Sequence, residues 1–259
     1  KVLTSLQSGD PATLQARLRD VFGPNVDMLC SGGAPLPLAI AQAYQDAGVL
    51  LLQGYGLTET SPFSSYNHES HYRLGSVGTP IRHVEMQVWD EHDQELPAGV
   101  PGEIVIRGRN VMLGYWKRPE ETSAAMRGGW FHSGDIGYVD EDGYFYITDR
   151  LKDMINVSGM KVYPAEVENV LYQHAAVHEV AVYGVPDDLL GEAVWATVVI
   201  KPGYVVTAEE LIAFCSERIA TFKVPHVVRF DETIPKNPTG KVLKRVLVSN
   251  AKAALVESR

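Results

Sequence analysis

Cysteine is scarce. Only Cys30 and Cys215 occur in 259 residues, far apart and in no C-x-x-C pair. That usage excludes a disulfide framework and reads as ordinary reduced thiols in a cytoplasmic protein. Long apolar runs are missing: none approaches the roughly 18 residues of a membrane span. No charged-then-apolar leader opens the chain. Positive charge is in deficit, with a net −9 at neutral pH. This argues against broad binding to nucleic acid or an anionic membrane, and leaves room for a local basic pocket for a phosphorylated ligand. The histidines form no metal motif. His68 and His71 are three apart, and His174 and His178 are four apart on a stretch with helical pattern. Neither pair belongs to an H-E-x-x-H site, because Tyr72 and Val182 stand four residues beyond His68 and His178. Internal repeats and low-complexity segments are also absent. The first residue is Lys1 rather than Met, which leaves open a gene that begins upstream.

What is present is a globular composition, with 45% apolar residues and enough length for one large domain or two ordinary ones. The stretch "ATLQARLRDVF" places Leu14, Leu18, Val21 and Phe22 at helical spacing, and "LPLAIAQAYQDAG" predicts a second helix closed by Gly48. A short buried strand, "VLLLQ", follows. Helix then apolar strand predicts part of a parallel sheet. From about residue 78 the texture changes to short strands, "VEMQVWD", "EIVIRG" and a hairpin turning at Asp142-Gly143, which predicts a small distorted β-barrel. After Arg150 helices and strands mix again, from "PAEVENVLYQH" to a last helix over "KVLKRVLVSNAKAAL". The expected organisation is an αβ portion to about residue 77, a barrel over about 78–150, and a separate α+β domain over 151–259.

Several loops in this framework suit chemistry, and each also has a plainer reading. "LCSGGAPLP" is either a tight strand-to-helix turn or a glycine surface against which a flat ligand lies. "QGYGLTETSP" follows a strand, and ligands in open α/β sheets sit at the carboxyl ends of strands. There Tyr55 offers a ring for stacking, Thr58 a hydroxyl, and Glu59 a hard oxygen ligand suited to Mg²⁺ on a nucleotide; the plain reading is a polar loop. In "FHSGDIGYVDEDGYF", Asp135 either accepts from the vicinal hydroxyls of a ribose or bonds its own backbone in a turn, and Asp142 suits the turn better. Arg150, at a strand end, carries a fork that fits ribose hydroxyls or phosphate. "IPKNPTGKVLKR" stiffens a loop around Lys241 without matching a phosphate loop, since Pro235 and Val242 occupy positions that need glycine and a hydroxyl residue.

Together and in this order, these segments resemble the adenylate-forming superfamily of acyl-CoA synthetases, luciferases and peptide-synthetase adenylation domains. Within it, "NVSGMKVYPAEVE" and "IPKNPTGKVLKR" look like the fatty-acyl and aryl-CoA ligases. The resemblance implies an α/β plus α+β protein: a remnant of a parallel-sheet subdomain, the barrel, and a mobile carboxy-terminal lid domain. It implies that Gly33, Ala34 and Pro35 line the adenine pocket with Tyr55 stacking on the ring. Thr58 would touch phosphate and Glu59 would hold Mg²⁺. Asp135 and Arg150 would grip the ribose, Lys152 would be the hinge, and Gly159 would lie beside the pantetheine channel. Lys241 would be the catalytic lysine. The implied ligands are ATP, Mg²⁺, coenzyme A and a carboxylic acid such as a fatty acid.

The chain departs from that pattern in one respect. The Ser/Thr/Gly-rich phosphate-binding loop of the superfamily does not occur in it. The expectation is the second half of an acyl-CoA synthetase, lacking its amino-terminal half and inactive alone. A nucleotide- or partner-binding half-protein and one chain of a split enzyme are the alternatives.

Overall fold

The computed structural model describes residues 11–33, 36–238 and 240–257. The chain divides into two compact units, Lys1–Leu151 and Lys152–Arg259.

In the first unit, α1 (Pro11–Phe22) starts with proline at a position where no backbone donor is needed, and runs to Gly23, whose positive φ closes the helix. Leu14 and Leu18 are buried with Tyr44, Ala47 and Val49. Burying a leucine fully contributes roughly 1.5–3 kcal/mol. Val21 and Phe22, expected on the same stripe, are 55% and 50% exposed and lie outside the cluster that buries Leu14 and Leu18. Strand β1 (Met28–Ser31) lies parallel to β2 (Leu50–Tyr55), with α2 (Leu38–Asp46) crossing between them. Two-residue strands β3 (Ser65–Tyr66) and β4 (Thr79–Pro80) complete the order β1-β2-β3-β4. The first sheet is therefore mixed: a parallel pair extended by antiparallel strands.

Four longer strands follow: β5 (Val84–Trp89), β6 (Gly102–Gly108), β7 (Phe131–Val139) and β8 (Phe145–Arg150), with α3 (Pro119–Ala125) between β6 and β7. They form an antiparallel meander in sequence order. The expected barrel is thus an open sheet. Four strands are too few to curl back on themselves, and β8 uses Phe145 to bond Val77 and Gly78 instead of β5. Alternation in β5 and β6 puts Val84, Met86, Val88, Ile104 and Ile106 into one core with Phe131, Phe145 and Tyr55. Tyr55 thus ends a strand of the first sheet and packs in the core of the second.

The second unit holds β9 (Ile155–Val157), β10 (Met160–Val162), α4 (Pro164–Leu171), β11 (Val177–Asp187), β12 (Gly191–Ile200), α5 (Ala208–Ser216), β13 (Val227–Phe230) and α6 (Lys244–Glu257). The sheet order is β10-β9-β12-β11, with β13 parallel to β12, so β11 is an edge strand. One face packs Val167, Leu171, Leu211 and Cys215 from α4 and α5 against Val180, Val182 and Val194. The other packs Leu247 and Ala251 of α6, with Ile234, against Ala181, Tyr183 and Trp195. Helix α5 starts on a capping box in which Thr207 Oγ1 accepts from Glu210 N at 3.2 Å and Glu210 Oε2 from Thr207 N at 2.8 Å. Two expected helices are shorter than the sequence suggests. Helix α4 stops at Leu171, leaving His174 in a turn and His178 on β11, and α6 begins at Lys244 rather than Lys241.

Among the described residues no helix is long and apolar enough to cross a membrane.

Candidate active site

In the first unit three of the expected residues meet. The Tyr55 hydroxyl donates to Asp135 Oδ2 at 2.7 Å, and Arg150 Nε pairs with Asp135 Oδ1 at 2.9 Å. Strand pairing produces this: Asp135 on β7 stands opposite Arg150 on β8, and Tyr55 comes from the end of β2. Asp135 is only 4% exposed, so its charge is held by that hydroxyl and guanidinium rather than by water. Burial and then the Asp135 charge push the Tyr55 phenol well above its usual range, so it stays a donor.

Asp135 is set by a bulge. The β6–β7 register shifts between Glu103 and Val105. Gly134, at a φ of 68°, turns its amide to Glu103 Oε1 at 2.9 Å, while Glu103 Oε2 lies 2.8 Å from His132 Nδ1. Arg127 Nη2 reaches the same oxygen at 3.2 Å. Ser133 Oγ donates to Ile104 O at 2.6 Å and accepts from Asp135 N at 3.0 Å. The sequence reading found Asp135 and overlooked Glu103, whose partners lie about thirty positions further along the chain.

The "GYGLTETSP" loop is equally tight. A Cβ on Gly56 would stand 1.7 Å from Pro62 O, so only glycine fits. Asn110 Nδ2 bonds Thr60 O at 3.0 Å and Phe63 O at 2.9 Å. Thr58 is exposed at the start of a short turn of 3-10 helix. Glu59 Oε1 accepts from the Tyr115 hydroxyl at 3.0 Å, and its carbonyl accepts from Met112 N at 2.8 Å. Burial first, and then Glu59, raise the Tyr115 phenol. Asn110 and Tyr115 were not singled out from sequence. On the other side of β2, Gly32 approaches Gly54 O so closely that a Cβ would lie 3.2 Å from it, and Gly33 has a φ of 80°. Ala34 and Pro35, expected to line the same pocket, lie outside the described residues.

In the second unit Lys152 is exposed at its first position, in a single turn of 3-10 helix over Leu151–Asp153. Ser158 and Gly159 form the turn between β9 and β10, with φ of 50° and 86°. Two consecutive positive φ values are what a two-residue hairpin of this hand requires. No atom lies within 4 Å of a Cβ built on Gly159, so within its own unit the backbone angle, not crowding, demands glycine. Lys241 is half-buried in a hairpin. Lys236 and Val242 form an antiparallel bridge, Asn237 N donates to Lys241 O at 2.9 Å, and Leu243 N donates to Pro235 O at 2.8 Å. Asn237 Oδ1 accepts from Lys241 N at 2.8 Å. The expected stiffness is real, but hydrogen bonds centred on Asn237 supply it along with the prolines.

The remaining candidates stay apart from these sites. His68 and His71 stack at 4.9 Å on the surface. Cys30 and Cys215 are free, and Cys30 Sγ lies 2.7 Å from the Tyr66 hydroxyl. The turn aspartate of the β7–β8 hairpin is Asp140, whose Oδ1 accepts from Asp142 N and Tyr144 N; Asp142 pairs with Arg73.

The fold and these loops define an AMP-binding enzyme: the family of that description matches residues 3–116, and its carboxy-terminal domain matches residues 166–241. The chain belongs to this adenylate-forming family. It is 43% identical over 230 residues to a long-chain-fatty-acid–CoA ligase of Escherichia coli O6:H1, covering 88% of this chain and 41% of that protein. It is 45% identical over 247 residues to a feruloyl-CoA synthase of Amycolatopsis, covering 93% and 50%. Among solved structures, ATP-bound MatB from Rhodopseudomonas palustris superposes with a TM-score of 0.87 at 34% identity, over 96% of this chain and 52% of that one. The chain spans about half the length of the curated relatives it matches.

Proposed function

We propose that the whole protein is an AMP-forming acid–CoA ligase, and that this chain carries its ribose grip and its catalytic lysine. The Tyr55–Asp135–Arg150 constellation is the observation that supports this best. An ionised carboxylate has about four lone-pair sites, so a single aspartate such as Asp135 can accept from ribose hydroxyls as well as from protein donors. Tyr55 offers its ring to adenine beside the turn at Gly33, Ala34 and Pro35. Thr58 touches phosphate. Glu59 is the ligand for Mg²⁺, which when bound neutralises phosphate charge. Among the described residues there is no cluster of three or more metal-ligating side chains. That suits an ion held by one carboxylate, waters and the nucleotide's own phosphates.

In the first half-reaction an oxygen of the substrate carboxylate bonds to the α-phosphorus of ATP, and the bond to pyrophosphate breaks. Two anions meet, and the Lys241 ammonium lowers their repulsion; by analogy with an oxyanion donor this is worth about 10²–10³-fold in rate. In the second, the thiol of coenzyme A attacks the acyl carbon and AMP leaves. Lys152 serves as the hinge that exchanges the lysine for the Gly159 turn beside the pantetheine arm. The similarity to a long-chain-fatty-acid–CoA ligase favours a fatty acid as substrate. Two free cysteines favour a reducing, cytoplasmic setting.

The test is ATP–pyrophosphate exchange by the complete protein with fatty and aromatic acids. Exchange that depends on a fatty acid is expected, with none from this chain alone. Intact ATP binding without exchange for any acid would overturn the enzyme in favour of a binding protein.

A further inference from the structure

The hairpin that carries Lys241 has two feet, and each ends in an ion pair. On the incoming side, Lys236 pairs with Glu179 of β11. On the outgoing side, Lys244, the first residue of α6, pairs with Glu168 of α4 at 3.0 Å, each partner 19% exposed. Both pairs reach the same strand. Glu168 Oε1 also accepts from Val182 N at 2.8 Å, so one carboxylate joins α4, the edge of β11 and the start of α6. Glu179 shares the strand face of Ala181 and Tyr183, against which Ile234 and Val242 at the base of the hairpin pack. The apolar contacts set how deep the hairpin sits. They do not fix its tilt, because a two-strand bridge closed by a few hydrogen bonds is marginal alone.

We propose that Glu168 and Glu179 are positioning residues for Lys241, acting through Lys244 and Lys236. This rests on the reading of Lys241 as the catalytic lysine. With either pair broken, one foot is released and the hairpin pivots on the other. The ammonium then samples a wider arc, and less of its time is spent where a developing negative charge needs it. Misplacement of a charged group costs rate steeply, so fixing both feet has a catalytic purpose beyond folding. The Glu168 pair is the less exposed of the two and already organised by Val182, so it has the larger effect.

The proposal is tested in two arms. In the first, amide hydrogen exchange is followed in this chain at Asn237, Lys241 and Leu243, with Ala196 and Val198 of β12 as references. Glu179→Gln is expected to speed exchange at the three hairpin amides about two- to fivefold and Glu168→Gln about tenfold, with the references unchanged. Combining Glu179→Lys with Lys236→Glu restores the slower rates. Unchanged hairpin exchange in both single variants, or failure of the exchanged pair to restore it, overturns the proposal. If Glu168→Gln does not fold, Lys244→Met tests that pair from its other side. In the second arm the complete enzyme carries the same variants with Lys241→Ala beside them. Slower acyl-adenylate formation with unaltered thioester formation from supplied adenylate is expected; a merely structural defect lowers both. Where Lys241→Ala abolishes adenylation and neither glutamate variant slows it, the positioning role fails and the lysine's stands. Where Lys241→Ala leaves adenylation intact, both fail.

Discussion

Tyr55 and Asp135 are eighty residues apart in sequence and 2.7 Å apart in space, hydroxyl to carboxylate, inside the core that links the first unit's two sheets. Tyr55→Phe removes one donor to a buried carboxylate. That costs about 1–3 kcal/mol. Urea unfolding of the chain should show the loss as a lower midpoint; an unchanged midpoint would mean that the Tyr55 hydroxyl adds nothing to the holding of Asp135.

Glu103 is the support beneath Asp135. Glu103→Ala strips acceptors from Gly134 N and His132 and is expected to destabilise by about 1–3 kcal/mol, whereas Glu103→Gln keeps an acceptor and loses less. Thermal unfolding of the two variants side by side measures the difference. Equal losses would show that the charge, not the geometry of acceptance, matters.

Two glycines are expected to respond differently to alanine. Gly56→Ala drives a methyl into Pro62 O and should disrupt the loop bearing Thr58 and Glu59, with a large fall in melting temperature. Gly159→Ala meets open space and carries only the strain of a positive φ, about 1–2 kcal/mol. Comparable losses at both positions would contradict the packing at Gly56.

Burial pushes the Cys215 thiol from 9.0 up to about 11, and the Tyr172 phenol from 10.0 to about 12. Both groups hold their protons more tightly folded than unfolded. Their contribution is complete below about pH 9 and is lost as pH rises through 11 and 12. Denaturant midpoints from pH 8 to 11 should fall, and Cys215→Ala should flatten the early part of that fall. An identical slope in the variant would assign the alkaline loss elsewhere.

Lys241→Ala in the complete enzyme is expected to reduce acyl-adenylate formation by about 10²–10³-fold and to spare thioester formation. Rapid-quench measurement of the two half-reactions separates them, and equal loss in both would place Lys241 outside the phosphate step.

Local pattern carried much of this structure. The alternation in "VEMQVWD" and "EIVIRG" and the apolar "VLLLQ" all led to the elements found, because each is decided by neighbours a few residues away. The misses share the opposite cause. Lys241–Leu243 has helical composition, yet Lys236 and Pro235 claim its backbone for a bridge. His174 follows a helical stretch, but its ring accepts from Ala176 N in the turn that ends the helix. Tyr115 against Glu59, and Glu103 against Gly134 next to Asp135, are contacts across 56 and 31 positions, which no local window reveals. The barrel failed for a similar reason: strand number and alternation were legible, whereas closure depends on which edge finds a partner.

The edge strand β11 also bears on aggregation. An open edge of a sheet is a template on which a foreign strand can grow, and unguarded edges seed fibrils. Here Val180 turns its amide to the Tyr172 hydroxyl, Val182 turns its own to Glu168, and Pro186 has none to give. The border is blunted along much of its length, and one of the side chains that blunts it, Glu168, also pairs with Lys244 at the foot of the lysine hairpin. A variant that frees Glu168 from this edge therefore opens a route to aggregation as well as loosening a loop.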